Sequence, residues 1–166
     1  AAEPDDKPNG GVVLVHEIFG VNDDMRRIAQ RYADAGYLTL VPALFDKIQR
    51  DVELTYDPEN RQMGIALAER LGIDDASELV NTAADAIGHA GKVAVVGYGW
   101  GGNVALRAAN AMALPCVSYY AASNPIHEPG EASVPILVHK GDTDPQFSPG
   151  YRQRLQKNRP GSQVFT

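Results

Sequence analysis

The chain has 166 residues, an apolar fraction of 44%, a formal net charge of −6 and one cysteine. Its length suits one well-buried domain and is short for two, and the acidic balance without a basic run excludes nucleic acid and anionic membrane surfaces as expected partners. The single Cys116 excludes an intrachain disulfide and a thiolate metal cluster, and with no signal peptide and no apolar run near the ~20 residues that span a bilayer, we expect a cytoplasmic protein.

The N-terminal quarter of the chain predicts a βαβ unit. Residues 1–11 are polar and broken by two prolines, which predicts an N-terminal tail, and residues 12–166 form the expected single domain. The apolar run 12–15 is typical of a strand covered on both faces. Asn22 or Asp23 offers an N-cap and Gly36 a C-cap for a helix whose apolar residues recur at helical spacing, and 37–41 predicts the second strand.

The remainder of the chain continues the alternation. Residues 44–62 are charged and irregular, which predicts an excursion, and a helix follows over 63–71. Asp75 with Glu78 resembles a capping box ahead of an apolar stripe. The further predicted elements are a strand over 93–96, a helix that buries Val104, Ala105, Ala108 and Ala109, strands over 115–120 and 136–139, a helix over 151–157 and a strand from 163.

This alternation of apolar runs and amphipathic helices predicts an α/β protein. Its sheet is mostly parallel and doubly wound, with helices on both faces joined by right-handed crossovers. In such sheets the active site lies in the loops at the carboxyl ends of strands. Those loops are 16–21, 97–102, 119–124 and 141–147.

One of these loops, in VAVVGYGWGGNVAL (93–106), is a glycine turn that fits two motifs. As G-x-G-x-x-G it would cradle a dinucleotide, but the acid that binds the ribose about 20 residues later is missing, and bulky Trp100 stands where phosphate approaches. As G-x-nucleophile-x-G, with Gly97 and Gly101 as the flanking glycines, it is a hydrolase elbow whose central residue is Gly99. The context favours the elbow, and we expect no cofactor.

Four stretches carry a resemblance to a known family. HEIFGVNDDMRRIAQRYADAGYLTLVPALFD, GKVAVVGYGWGGNVALRAA, VSYYAAS and PILVHKGDTDPQFSPG, in this order and spacing, resemble the dienelactone hydrolase (carboxymethylenebutenolidase) family of α/β-hydrolases. The resemblance spans 12–164. It implies an α/β-hydrolase fold and a cysteine nucleophile with an aspartate and a histidine, which open a lactone or small carboxylic ester.

The resemblance assigns roles residue by residue. Gly99 stands where the family has its cysteine, Asp144 takes the place of the triad acid that would orient the histidine, and Glu17 matches the glutamate beside the nucleophile. The backbone amides of Ile18 and Trp100 correspond to the oxyanion hole. The residues that correspond to the pocket wall are Phe19, Tyr119 and Tyr120.

Other parts of the family pattern are missing from the chain. The triad histidine would follow the sixth strand, beyond Thr166, so we expect a C-terminally incomplete domain. The family's first strands, which would precede residue 12, are also missing from the expected fold. The arginines that bind substrate have no clear counterpart, since Arg61 is near one of them but Met63 or Gly64 aligns better. The expected partner is a small lactone or ester, with no metal and no nucleic acid, and the expected assembly is a monomer or weak homo-oligomer.

Several candidates also have ordinary structural interpretations. Asp142 competes with Asp144, because both could serve the turn in GDTDP. His16 fits a strand-end residue with a satisfied hydrogen bond better than a base, and Cys116 fits a buried, inert thiol. Of the adjacent Tyr119 and Tyr120, one could face a helix instead of the pocket, because neighbours on a strand point to opposite faces.

Glycine at the elbow excludes the acyl-enzyme route, because Gly99 has no atom with which to attack a carbonyl carbon. Three interpretations remain open. In the first, the parent protein is an active hydrolase, Gly99 is an engineered or incompletely determined position, and the C-terminal histidine is lost by truncation. In the second, the protein is a natural pseudoenzyme that binds small carboxylates or lactones. In the third, the sequence is partial and missing segments complete a site around a nonstandard nucleophile.

Overall fold

A parallel six-stranded sheet organises the chain in the computed structural model, which describes residues 1–121, 134–145, 150–158 and 161–166. The strand order is β2-β1-β3-β4-β5-β6, and every neighbouring pair runs parallel. The strands are β1 (Gly11–Val15), β2 (Leu38–Leu40), β3 (Val93–Tyr98), β4 (Cys116–Tyr119), β5 (Ile136–His139) and β6 (Gln163–Phe165). The described helices are α1 (Asp23–Asp34), α2 (Pro58–Leu71), α3 (Ile73–Ala86), α4 (Trp100–Met112) and α5 (Tyr151–Asn158), with 3₁₀ turns at Leu44–Lys47 and Gly88–Ala90.

The two faces of the sheet bury different residues of the same strands, as the alternation of side chains requires. On one face Leu14 and Val96 pack with Met25 and Ala29 of α1. On the other face lies the larger core, which contains side chains from β1, β3, β4 and β5 together with those of α2, α3, α4 and α5. The predicted α/β class, with helices on both faces of the sheet, is confirmed.

Element boundaries differ from the sequence prediction where capping decides them. The helix expected over 63–71 begins at Pro58, because the side chain of Asp57 accepts the backbone N–H of Asn60 and proline suits the first helical position. The Asp75–Glu78 capping box is wrong. Helix α3 already begins at Ile73, directly after Gly72, which has a φ of +74° and caps without a side chain.

The N-terminal residues are attached to the sheet, not detached as a tail. Ala2 and Thr39 exchange two backbone hydrogen bonds of 2.8 and 2.9 Å, an antiparallel bridge at the outer side of β2. Asn9 donates its N–H to the carbonyl of Gly36 at 2.8 Å. This segment therefore covers part of the sheet edge that β2 would otherwise expose.

Asn22 is the N-cap of α1, and its side chain also binds the loop 52–56. Its side chain accepts the N–H of Met25 at 3.2 Å and donates to the carbonyl of Leu54 at 3.4 Å and the hydroxyl of Tyr56 at 3.2 Å. We expect Asn22→Ala to lower the free energy of unfolding by about 2 kcal/mol, since it removes a cap and leaves buried groups unpaired. Urea denaturation measures this. Asn22→Ser, which keeps a capping oxygen, should lose less, and an equal loss would contradict the capping contribution.

The direction in which successive strands are added to the sheet reverses between β1 and β3. From β1 the chain crosses to β2 on one side, whereas β3, β4, β5 and β6 follow one another on the other side. Val15 pairs with Gly97 near the carboxyl ends of the two strands. The loops that leave these strands lead to α1 and α4, on opposite faces, and a crevice opens where they separate.

Candidate active site

A cavity of about 540 Å³ occupies this crevice. It brings together seven of the eight residues that the sequence singled out from their resemblance to family positions. They are Glu17, Ile18, Phe19, Gly99, Trp100, Tyr120 and Asp144. Side chains of α2, among them Arg61 and Glu69, form the facing wall.

The glycine turn after β3 has the close packing that an elbow needs. A Cβ at Gly97 would lie 2.2 Å from the carbonyl oxygen of Gly101, and a Cβ at Gly101 would lie 2.2 Å from the carbonyl oxygen of His16. Both distances are far below van der Waals contact, so only glycine lets α4 begin this close to β1 and β3. Gly99 between them has a φ of +53° and a ψ of −122°, in a region where side chains are strained.

The start of α4 supplies backbone donors at the floor of the cavity. Gly99 donates its N–H to the carbonyl of Tyr119 at 2.9 Å, which fixes the turn. Trp100 is the first residue of α4, and the amides of a helix's first turn have no partner inside the helix and carry a partial positive charge. Ile18 lies opposite, held by the backbone of Gly64, where a Cβ would lie 2.2 Å from the Ile18 carbonyl oxygen.

Glu17 and Tyr120 form a hydrogen-bonded pair beside Gly99. Burial raises the pKa of the Glu17 carboxyl above its ordinary value, and the Tyr120 hydroxyl, which donates to it, partly offsets that rise. Burial, followed by the nearby Glu17 carboxylate, raises the pKa of Tyr120 as well. Tyr120 has a φ of +40°, an unfavourable conformation for a tyrosine that places its ring over the cavity.

His16 lies beneath the cavity as a structural residue. It is fully buried, its Nδ1–H donates to the carbonyl of Glu17 at 2.6 Å, and its Nε2 accepts the N–H of Leu44 at 3.2 Å. Burial lowers its pKa to about 4. The sequence interpretation of a satisfied strand-end histidine is confirmed, and the two bonds tie the loop after β1 to the 3₁₀ turn at 44–47.

Aromatic side chains close the remainder of the wall. Trp100 stacks on Phe45 with ring centroids 5.6 Å apart. Phe19 is buried and meets Tyr56 edge-on at 4.6 Å. The cavity therefore combines an apolar wall with a few polar groups, the usual character of a small-molecule site.

The two aspartates of the GDTDP turn are placed differently. Asp142 is exposed, whereas Asp144 is half-buried and lines the cavity. The geometry favours Asp144 as the site residue of the two. His89 lies exposed and away from the cavity, His127 falls outside the described residues, and no histidine among the described ranges lines the cavity.

Tyr119 is not brought to this cavity. Its ring points to the opposite face of the sheet from the Tyr120 side, where it lies between Tyr98, at 4.8 Å, and His139, at 4.7 Å. His139 in turn stacks on Phe165 at 5.1 Å. These four rings, here called the aromatic ladder, stand side by side on β3, β4, β5 and β6. The pocket-wall prediction for Tyr119 fails because adjacent residues at a strand end point to opposite faces.

Arg61, which the sequence analysis set aside in favour of Met63 or Gly64, lines the cavity. It projects from the second turn of α2 into the cavity wall, whereas Met63 is exposed elsewhere and Gly64 packs against Ile18. The early start of α2 explains the difference, because a helix that begins at Pro58 already presents residue 61 to the crevice. The Asp57 cap was the signal that could have located it.

The described residues contain neither a helix that could span a membrane nor a cluster of potential metal ligands. In those ranges no helix combines the length and apolar character that a membrane crossing demands. Within the same ranges no group of three or more His, Cys, Asp or Glu side chains is placed to hold a metal ion. Cys116, the first residue of β4, is buried, as the sequence analysis expected.

Comparison with known proteins identifies relatives along nearly the whole chain. The family model described as "Dienelactone hydrolase family" matches residues 1–165. The chain is 29% identical to the carboxymethylenebutenolidase of Pseudomonas putida over 160 residues, which covers 92% of this chain and 67% of that protein. It is 32% identical to the carboxymethylenebutenolidase of another Pseudomonas species over 146 residues, which covers 81% of this chain and 60% of that protein.

Solved structures share the fold. A dienelactone hydrolase-like promiscuous phosphotriesterase from metagenomic libraries superimposes with a TM-score of 0.74 at 23% identity, over 96% of this chain and 70% of that one. The chain spans 67% and 60% of the length of the two Pseudomonas relatives, and 53% of the length of a Synechocystis protein described as "Putative carboxymethylenebutenolidase".

Proposed function

Because the chain belongs to the dienelactone hydrolase family, we propose that its cavity binds a lactone or small carboxylic ester and hydrolyses it. The observation that carries this proposal is the convergence of Glu17, the start of α4 and Asp144 on one cavity of about 540 Å³. That volume suits a small molecule.

The substrate's carbonyl oxygen would point to the amides of Ile18 and Trp100. Negative charge develops on that oxygen when the carbonyl carbon is attacked, and two fixed N–H donors, one of them at the start of α4, stabilise it more than they stabilise the neutral ester. The aromatic side chains of Phe19 and Trp100 would hold the apolar part of the substrate. Asp144 would orient whichever proton-transferring group completes the site.

Arg61 would bind a carboxylate carried by the substrate. Its guanidinium is a cation in the part of the cavity wall that α2 forms. A guanidinium bonds a carboxylate through two parallel N–H groups, which gives orientation as well as affinity. We therefore propose esters and lactones that bear a second carboxyl group as the substrate class.

We expect Arg61→Leu to raise the KM for nitrophenyl hydrogen succinate about 10-fold, a loss of about 1.4 kcal/mol. The KM for uncharged nitrophenyl acetate should stay unchanged, because that ester has no carboxylate for Arg61 to bind. Steady-state kinetics on both esters measure the difference. Arg70→Leu removes another exposed arginine of α2 that does not line the cavity, and it should leave both constants unchanged. Equal effects on both esters would contradict carboxylate recognition.

A non-catalytic carboxylate-binding module is the second candidate. Gly99 favours it, because the elbow carries no side chain and so no nucleophilic atom. Trp100 is the single tryptophan and lies in the cavity wall, so its fluorescence reports occupancy. Saturable quenching by a dicarboxylate or lactone, together with no hydrolysis of either nitrophenyl ester, would select binding over catalysis.

A further inference from the structure

The space beside Gly99 lies within reach of a carboxylate oxygen. A Cβ built at Gly99 would lie 3.2 Å from Oε1 of Glu17 and 3.4 Å from Cε2 of Tyr120. Glu17, Gly99 and Tyr120 all line the cavity of about 540 Å³. Because Gly99 adds no side chain beyond its backbone, a water molecule in the cavity can approach this side of the elbow and donate a hydrogen bond to the Glu17 carboxylate.

Glu17 has the properties that a general base requires. Burial makes its carboxylate a stronger base than an exposed glutamate, and general-base efficiency rises as the pKa of the base approaches the working pH. The hydroxyl of Tyr120 donates to the carboxylate and holds its orientation. An ionised carboxylate can accept about four hydrogen bonds, so Glu17 keeps the capacity to accept one from water.

Resting on the hydrolase function proposed above, we propose that Glu17 activates a water molecule over Gly99, and that this water attacks the substrate's carbonyl carbon directly. Glu17 takes one proton from the water as the new C–O bond forms. When the bond to the leaving oxygen breaks, that oxygen takes the proton from Glu17. Ester and water give acid and alcohol, and the carboxylate is regenerated without a covalent enzyme intermediate.

The position of Glu17 distinguishes it from the other carboxylates of the cavity. Asp144 enters from the loop after β5 and Glu69 from α2, and neither is among the atoms nearest to a Cβ at Gly99. In the described part of the chain, Glu17 is therefore the carboxylate placed beside the elbow. Its backbone is fixed from below, since its carbonyl accepts the Nδ1–H of His16 at 2.6 Å.

The first test is the replacement Glu17→Gln. We expect kcat for nitrophenyl acetate to fall about 100-fold, the usual contribution of a general base, while Trp100 quenching by a dicarboxylate is retained. Glu78→Gln removes an exposed carboxylate of α3 and should leave kcat unchanged. A kcat within threefold of wild type in Glu17→Gln would overturn the proposal. Absence of hydrolysis in wild type would instead overturn the hydrolase function itself.

The second test separates proton transfer from a merely structural role. In wild type, kcat/KM should rise with pH along an acid limb above the ordinary pKa of glutamate, because Glu17 must be ionised to act. Tyr120→Phe removes the hydrogen bond that lowers the pKa of Glu17, so the limb should move to higher pH. An unmoved limb, or a limb that persists in Glu17→Gln, would contradict the role of Glu17.

The third test distinguishes water activation from attack by Glu17 itself. After many turnovers in H₂¹⁸O, the label should be found in the product acid and not in the Glu17 carboxylate, as measured by peptide mass spectrometry. Label in Glu17 would indicate an acyl-glutamate intermediate, whose hydrolysis leaves an oxygen of water on the side chain. That result would overturn direct attack by water.

Discussion

Gly101→Ala is expected to lower the free energy of unfolding by about 4 kcal/mol or more, a large fraction of a typical domain's stability. The new methyl carbon would lie 2.2 Å from the carbonyl oxygen of His16 and 2.6 Å from that of Val15. Both atoms belong to backbone, so a side-chain rotation cannot relieve the overlap. Helix α4 would have to move away from β1, and the buried Val104 and Ala105 would lose contacts.

The matched control for Gly101→Ala is Gly88→Ala. A Cβ at Gly88 meets nothing within 4 Å, and its φ is not in the left-handed region. Alanine there should leave stability unchanged or raise it slightly. Urea denaturation followed by circular dichroism compares the two variants. Equal stabilities would mean that α4 does not need its close approach to the carbonyls of β1.

The second large effect is acid destabilisation through His16. Burial lowers its pKa from the ordinary 6.5 to about 4, so between these values the unfolded chain binds a proton that the folded protein does not. The free energy of unfolding is therefore unaffected above pH 6.5 and falls as the pH drops towards 4. The full loss attributable to His16 is about 3 kcal/mol. Urea midpoints at half-unit pH intervals measure the slope.

Two variants isolate the contribution of His16. Gln places an oxygen near the position of Nε2 and can still accept from Leu44, whereas Asn places its amide near Nδ1 and can still donate to Glu17. His16→Gln and His16→Asn should thus differ in stability at pH 8. In both variants the free energy of unfolding should depend less steeply on pH than in wild type, since neither Gln nor Asn titrates in this range. A slope equal to that of wild type in either variant would contradict proton uptake by His16.

The architecture was predictable because it depends on patterns that the chain repeats. The apolar runs of β1 and β3, and the stripe of α3 that includes Val80, Ala83 and Ala84, mark elements buried by the sheet. The glycine turn was predictable for a related reason, since Gly97 and Gly101 are required by close backbone contacts. A short stretch of sequence is enough to recognise such a turn, because any residue larger than glycine would collide with backbone atoms there.

Side-chain direction and helix starts were harder to predict. Arg61 reaches the cavity because Asp57 and Pro58 begin α2 several residues before its apolar pattern does. Tyr119 and Tyr120 differ by one residue and face opposite sides of the sheet. The first difference concerns where a helix begins and the second concerns which face of the sheet a side chain takes, and composition and periodicity fix neither.

The aromatic ladder determines more than the packing of one face. Strands β4, β5 and β6 have only three or four residues each, so few backbone bonds oppose a shift of one strand along its neighbour. Tyr119, His139 and Phe165 stack only when each strand is paired as observed, because a one-residue shift would turn a ring to the other face. Tyr120, one residue beyond the ladder, depends on the same alignment for its bond to Glu17. The chemistry at the crevice is thus tied to side chains on the far face through the pairing of short strands.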